Sequence, residues 1–137
     1  MADIRPVTLD FAVAPQLQAA DFTEVAAAGF KTVINNRPER ESPGQLSDAD
    51  ARAAAAAAGL DYVAIPFAGM PSPAQVEATR KALAEVKAPV LAYCRSGTRS
   101  ITVWALSQAG VRPVEQIVDL ARAAGYDLSG LAGALRG

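Results

Sequence analysis

The 137-residue chain contains a single cysteine and no histidine, and the cysteine opens the run Cys94-Arg95-Ser96-Gly97-Thr98-Arg99. A lone cysteine among apolar neighbours is ordinarily a packed core residue. Here it is followed by arginines, hydroxyl residues and a glycine, the composition of an anion-binding loop. Guanidinium groups and the positive end of a following helix favour a thiolate over the thiol of a free cysteine, whose pKa is about 8.5. The expectation is a nucleophilic Cys94 acting on a small anionic substrate. Arg99 and Arg95, with loop N–H groups around Ser96, would hold the anion. Gly97 lets the backbone curl without a Cβ clash. Thr98 and Ser100 either hydrogen-bond the sulfur or cap the helix, and Arg95 either joins the anion or points to solvent. Histidine is the commonest general base and metal ligand, so its absence leaves no expected metal site and no cofactor.

The elements that must position this loop are readable on either side of it. Val90-Leu91-Ala92-Tyr93 is a short apolar run, a buried strand that delivers Cys94. From about Ser100 the pattern is helical through Ile101, Val103, Trp104 and Leu106, with Gly110 as a stop. Strand, polar loop and helix N-terminus form an anion-binding unit. Upstream, Val7 to Val13 reads as a first strand, Ala19 to Ala28 as a short helix and Thr32 to Asn35 as a second strand. Asn36 to Leu46 is a polar loop, from which Arg37 either reaches the pocket or is solvated. Ser47 caps an alanine-rich helix ending at Gly59, and Tyr62 to Ile65 is a third strand. Ser72, Pro73 and Gln75 open another capped helix, stopped by Pro89. Beyond the loop, Pro113 opens a last long helix that Gly125 closes, and Leu131 to Leu135 is a short apolar segment. Strands alternating with helices predict a three-layer α/β domain, a central parallel sheet of four to five strands flanked by helices, spanning residues 1–137. In such sheets ligands bind beyond the carboxyl ends of the strands, where Cys94, Asn35-Asn36-Arg37 and Pro66-Phe67 fall.

Composition narrows the class. Half of the residues are apolar, and 13 basic against 14 acidic residues give a formal net charge of −1. There is no basic stripe for nucleic acid and no basic amphipathic stretch for a membrane surface. No apolar run approaches the roughly 18 residues of a membrane helix. The N-terminal residues lack signal-peptide order and one cysteine allows no internal disulfide, so a cytoplasmic location is expected.

The loop resembles those of two families. Protein tyrosine and dual-specificity phosphatases use a cysteine and an arginine separated by five residues, normally with a histidine before the cysteine. Rhodanese-type sulfurtransferases use a loop one residue shorter, often Cys-Arg-x-Gly-x-Arg, which Cys94 to Arg99 matches, and Tyr93 stands where the phosphatase histidine would be. The order of elements resembles a dual-specificity phosphatase, which implies a protein-tyrosine-phosphatase-like fold. Together, Pro15-Gln16-Leu17, Ala28-Gly29-Phe30, Val33-Ile34-Asn35-Asn36-Arg37-Pro38, Ala57-Ala58-Gly59-Leu60-Asp61-Tyr62 and Cys94 to Ser100 are similar to the phosphatase-like domain of β-lactamase-hydrolase-like proteins. The resemblance runs from Val7 to Leu128. In that family the domain is sometimes fused to a persulfide-oxidising metallo-hydrolase, which has no counterpart in these residues.

Chemistry then separates the readings. A phosphatase needs an acid to protonate the leaving oxygen, and the resemblance places it after the third strand. The stretch Pro66 to Ser72 holds no carboxylate, and Asp61 and Glu77 lie on other elements. Sulfur transfer has no such requirement. The leading expectation is a sulfurtransferase: Cys94 takes sulfane sulfur from thiosulfate or a low-molecular-weight persulfide and passes it to an acceptor thiol or cyanide. The alternative is a cysteine-dependent hydrolase of phosphomonoesters through a phosphocysteine. A third class is a non-catalytic anion-binding or redox-sensing module with Cys94 as its oxidisable thiol.

Overall fold

In the computed structural model, which describes residues 1–136, the elements follow one another as β1 (Arg5–Pro6), β2 (Phe11–Ala14), α1 (Asp21–Ala27), β3 (Thr32–Asn35), α2 (Asp48–Ala57), β4 (Asp61–Ala64), α3 (Pro73–Glu85), β5 (Val90–Tyr93), α4 (Thr98–Ser107) and α5 (Val114–Ala123). Two 3-10 turns follow, Ser129–Leu131 and Ala134–Arg136. The five strands of the described residues form one sheet in the order β1-β2-β5-β3-β4. β2, β5, β3 and β4 run parallel, with Leu91 of β5 opposite Ala12 on one side and Val33 on the other. β1 is antiparallel to β2, the one departure from the expected parallel sheet.

Side chains alternate across the sheet, so the parallel strands feed two cores. Val13, Ile34, Val90 and Ala92 pack with Ile101, Trp104, Ile117 and Leu135 on the face covered by α3, α4 and α5. Ala12, Ala14, Val33, Leu91 and Tyr93 pack with Leu17, Phe22, Val25, Ala51 and Ala55 on the face covered by α1 and α2. The result is the expected three-layer α/β arrangement. β5 is the middle strand and fully buried, which places Cys94 at the centre of the sheet's carboxyl edge.

The first strand breaks where the sequence reads continuously from Val7 to Val13. The N–H groups of Val7 and Thr8 both bond the Phe11 carbonyl, and the Thr8 hydroxyl accepts from the Asp10 N–H. Thr8 and Asp10 thus close a tight turn that leaves Leu9 in solvent and lets the chain reverse between β1 and β2. Helix α4 starts at Thr98, two residues earlier than its apolar pattern suggests, because Gly97 at φ +91° takes the N-cap position.

Candidate active site

The catalytic-type loop connects β5 to α4. Its first half is tied from behind: the Gln16 N–H donates to the Arg95 carbonyl at 3.2 Å and the Asn36 N–H to the Tyr93 carbonyl at 2.8 Å. At Gly97 the chain turns left-handed, and its N–H donates to Cys94 Sγ at 3.1 Å. The N–H groups of Arg99 and Ser100, in the first turn of α4, have no hydrogen-bond partner among the described residues. In a helix such groups point along the axis toward the N-terminus, here toward the loop. Cys94 itself is fully buried beneath the loop.

The expected site residues divide into three groups. Cys94, Gly97 and Arg99 come together. Arg95 and Ser96 are exposed; the Ser96 hydroxyl donates to Thr98 Oγ1 at 3.0 Å, so Ser96 and Thr98 brace one another on the outer side of the loop. Ser100 is buried and neither touches the sulfur nor caps the helix: its hydroxyl donates to Asn36 Oδ1 at 2.8 Å. Asn36 in turn donates to the Ile65 carbonyl at 2.9 Å. One buried side chain therefore stitches the ends of β3 and β4 to the start of α4. Arg37 is 5 % exposed and is neither solvated nor free in the pocket. It donates to Gln16 Oε1, Glu41 Oε1 and Ser42 Oγ at 2.9–3.0 Å. Each nitrogen of its guanidinium thus has a protein partner, while the residue also lines a neighbouring cleft. Tyr93 turns the opposite way from the sulfur, edge-on to Phe22 in the α1–α2 core.

Two residues of the site were not visible in the sequence. Glu41 receives both terminal nitrogens of Arg99, Nη2 to Oε1 at 2.7 Å and Nη1 to Oε2 at 2.8 Å, and Arg99 Nη1 also donates to the Phe67 carbonyl at 3.1 Å. The Arg99 hydrogen bonds, followed by that of Arg37, hold the Glu41 carboxyl down at about 2. Glu41 is in turn the largest cause of the raised Arg99 pKa, with the nearby Cys94 a smaller one. Arg99 is gripped end-on, and its Nε has no partner among the described residues, leaving one edge for a second anion. The other unseen residue is Tyr126, whose hydroxyl donates to the Ser96 carbonyl at 2.8 Å. Both pairings join residues 58 and 30 positions apart, beyond the reach of any local pattern.

A cleft of about 350 Å³ lies beside this network, lined by Asn35, Arg37, Pro38, Glu39, Asp48, Ala64 and Pro66. Its rim is acidic. Asp48 accepts from the Tyr62 hydroxyl at 2.7 Å, and Glu39 accepts from the Asp48 N–H.

The phosphatase-like domain profile of beta-lactamase hydrolase-like proteins matches residues 3–111. A beta-lactamase hydrolase-like protein of Agrobacterium fabrum is 40% identical over 119 residues, covering 85% of this chain and 28% of its own. The chain thus spans little more than a quarter of the curated relatives it matches. Among solved structures, a Neisseria meningitidis protein assigned to the phosphatases superposes with a TM-score of 0.86 at 33% identity, over 96% of this chain and 95% of that one. PTPMT1 in complex with PI(5)P superposes with a TM-score of 0.75 at 16% identity, over 97% of this chain and 92% of its own, a likeness of fold. These findings correct the expected sulfur transfer through a Cys94 persulfide. Loop length and the missing acid carried that expectation, yet the Neisseria meningitidis protein that shares the fold at 33% identity is described as a phosphatase, and no sulfurtransferase stands among these likenesses. The fold does bring one carboxylate to the loop from elsewhere, Glu41, but both of its oxygens are held by Arg99. With its fold and its matched residues together, the chain belongs to the family of the beta-lactamase hydrolase-like phosphatase-like domain.

Proposed function

We propose that this domain hydrolyses phosphomonoesters with Cys94 as the nucleophile. The observation that carries the reading is the Gly97 N–H aimed at Cys94 Sγ at 3.1 Å, at the start of a helix whose first-turn N–H groups are open. An anion seated there meets N–H donors, the helix dipole and the free edge of Arg99. The Cys94 thiolate attacks phosphorus, the P–O bond to the alcohol breaks, and a phosphocysteine forms. Water then attacks phosphorus, the S–P bond breaks, and inorganic phosphate leaves as the thiolate is restored. Arg99, oriented by Glu41, spreads the charge of both transition states. Cys94 is covered in this arrangement, so attack requires the rim of the loop to open. The cleft beside Arg37 is suited to the organic part of the ester, and Glu39 and Asp48 on its rim disfavour substrates carrying further anionic groups.

Glu41 is ionised while Arg99 and Arg37 hold it, so it is not poised to protonate a leaving oxygen. Esters whose alcohol departs as a stable anion are favoured accordingly. Aryl phosphates are expected to turn over at least about 100-fold faster than alkyl phosphates, the scale of a missing general acid. Replacing Cys94→Ser is expected to lower aryl phosphate hydrolysis by at least about 1,000-fold with the fold retained. Steady-state rates on an aryl and an alkyl phosphate check both statements, and hydrolysis that survives Cys94→Ser would overturn the assignment.

A further inference from the structure

Residues of the C-terminal segment reach the loop from outside the matched stretch. Gly125, at φ +100°, ends α5 in the left-handed conformation; its N–H bonds the Arg122 carbonyl while the Tyr126 N–H bonds the Ala121 carbonyl at 2.9 Å. This helix stop throws Tyr126 across to the β5–α4 loop. The tyrosine is largely buried, and its hydroxyl lies over Gly97: a Cβ built there would meet it at 2.1 Å. From the far side, the Arg5 guanidinium lies 5.2 Å from the centre of the Tyr126 ring, itself held by Asp3 at 2.9 Å. A residue near each end of the chain thus takes part in this contact, Arg5 against the ring and Tyr126 through its hydroxyl.

The bond it makes is to a particular peptide. The Ser96 carbonyl accepts from Tyr126, and the Gly97 N–H donates to Cys94 Sγ. These are the two ends of one planar trans unit, which points its oxygen and its hydrogen in opposite directions. Gly97 at positive φ makes that unit easy to rotate, since glycine occupies either hand without steric cost. Rotated, it would aim a carbonyl oxygen at the sulfur and at any bound anion. We propose that Tyr126 is a positioning residue that locks the Ser96–Gly97 peptide with its N–H turned toward Cys94. A hydrogen bond at the carbonyl also polarises the same amide and strengthens its N–H as a donor. The inference rests on the phosphatase reading for its function but not for its geometry.

Tyr126→Phe tests it, because the ring that covers Gly97 stays and only the hydroxyl goes. Amide hydrogen exchange in the whole chain reads the lock without any ligand. Exchange at Gly97 is expected to quicken about five- to tenfold, as one lost hydrogen bond allows, while Leu91 in β5 is unchanged. The concentration of inorganic phosphate that half-protects Cys94 from iodoacetamide should rise by a similar factor, and kcat/KM on an aryl phosphate should fall with it. Unchanged exchange at Gly97 in Tyr126→Phe overturns the proposal. If neither phosphate nor vanadate protects Cys94 in the unaltered chain, the phosphatase reading fails, and the Gly97 exchange still decides the lock.

Discussion

Glu41 shares its carboxylate between Arg99 and Arg37, so a single anion sets the position of two guanidinium groups around the loop. Its carboxyl titrates at about 2 rather than at its ordinary 4.5. A group whose folded value is depressed contributes stability above its unfolded value, and that contribution is lost as pH falls through the folded one. The window here runs from 4.5 down to 2. Glu41→Gln is therefore expected to lower the thermal midpoint near neutral pH, with the gap to the unaltered protein shrinking below about pH 4. Calorimetric melts of the two proteins across that range check it. With Arg99 no longer gripped end-on, KM for an aryl phosphate should rise about three- to tenfold while kcat changes less, the effect of losing a charge-assisted pair. A kcat that falls alone would place Glu41 in the chemical step instead.

Helix α3 shows what local sequence specifies well. Ser72 accepts from the Gln75 N–H at 3.2 Å, Gln75 Oε1 accepts from the Ser72 N–H at 2.8 Å, and Pro73 fills the first helical position. Every group of this cap lies within four residues, so the order Ser72, Pro73, Gln75 is enough to mark a helix start. Ser72→Ala is expected to cost about 1 kcal/mol in urea unfolding and to leave aryl phosphate hydrolysis unchanged. The cap is exposed, and although it stands at the sheet's carboxyl edge, where Gln75 also donates to the Pro66 carbonyl, none of its groups bonds Cys94, Arg99 or Glu41. Ser100 is the opposite case. Its position near the start of a helix suggests a cap, but its hydroxyl finds Asn36, 64 residues away. The split between β1 and β2 was likewise hidden, because Val7 to Val13 alternates acceptably as one strand and only the Thr8–Asp10 turn breaks it.

Across the molecule, the two cores meet at the sheet, and the larger one carries the loop's helix. Trp104 of α4 stacks on Phe11 of β2, with centroids 5.5 Å apart and planes within 10°. It is 2 % exposed, so removing it opens a void that the sheet cannot close. Trp104→Ala is expected to cost about 3–5 kcal/mol, a large share of the stability of an ordinary domain. Denaturant unfolding measures it, and a loss below about 1 kcal/mol would mean that the α4 face of the sheet packs less tightly than this stacking requires. The same packing explains how the N- and C-terminal segments come to share one site. β1 lies at the sheet edge next to β2, and the turn after α5 returns to the same end, so Arg5 lies over the Tyr126 ring whose hydroxyl covers Gly97.

The layered α/β order, the strand that delivers Cys94, and the loop with its glycine and arginines follow from sequence alone. Their causes are local: strand and helix periods, caps within one turn, and a glycine where no Cβ is tolerated. The partners that orient the chemistry were decided only by tertiary structure. Glu41 on Arg99, Tyr126 on Ser96 and Asn36 on Ser100 join distant segments, and no local rule of hydrophobicity or turn chemistry encodes such a meeting. The expectation of sulfur transfer failed for the same reason, because one loop's length and one stretch's missing carboxylate do not reveal which groups the sheet's carboxyl edge assembles.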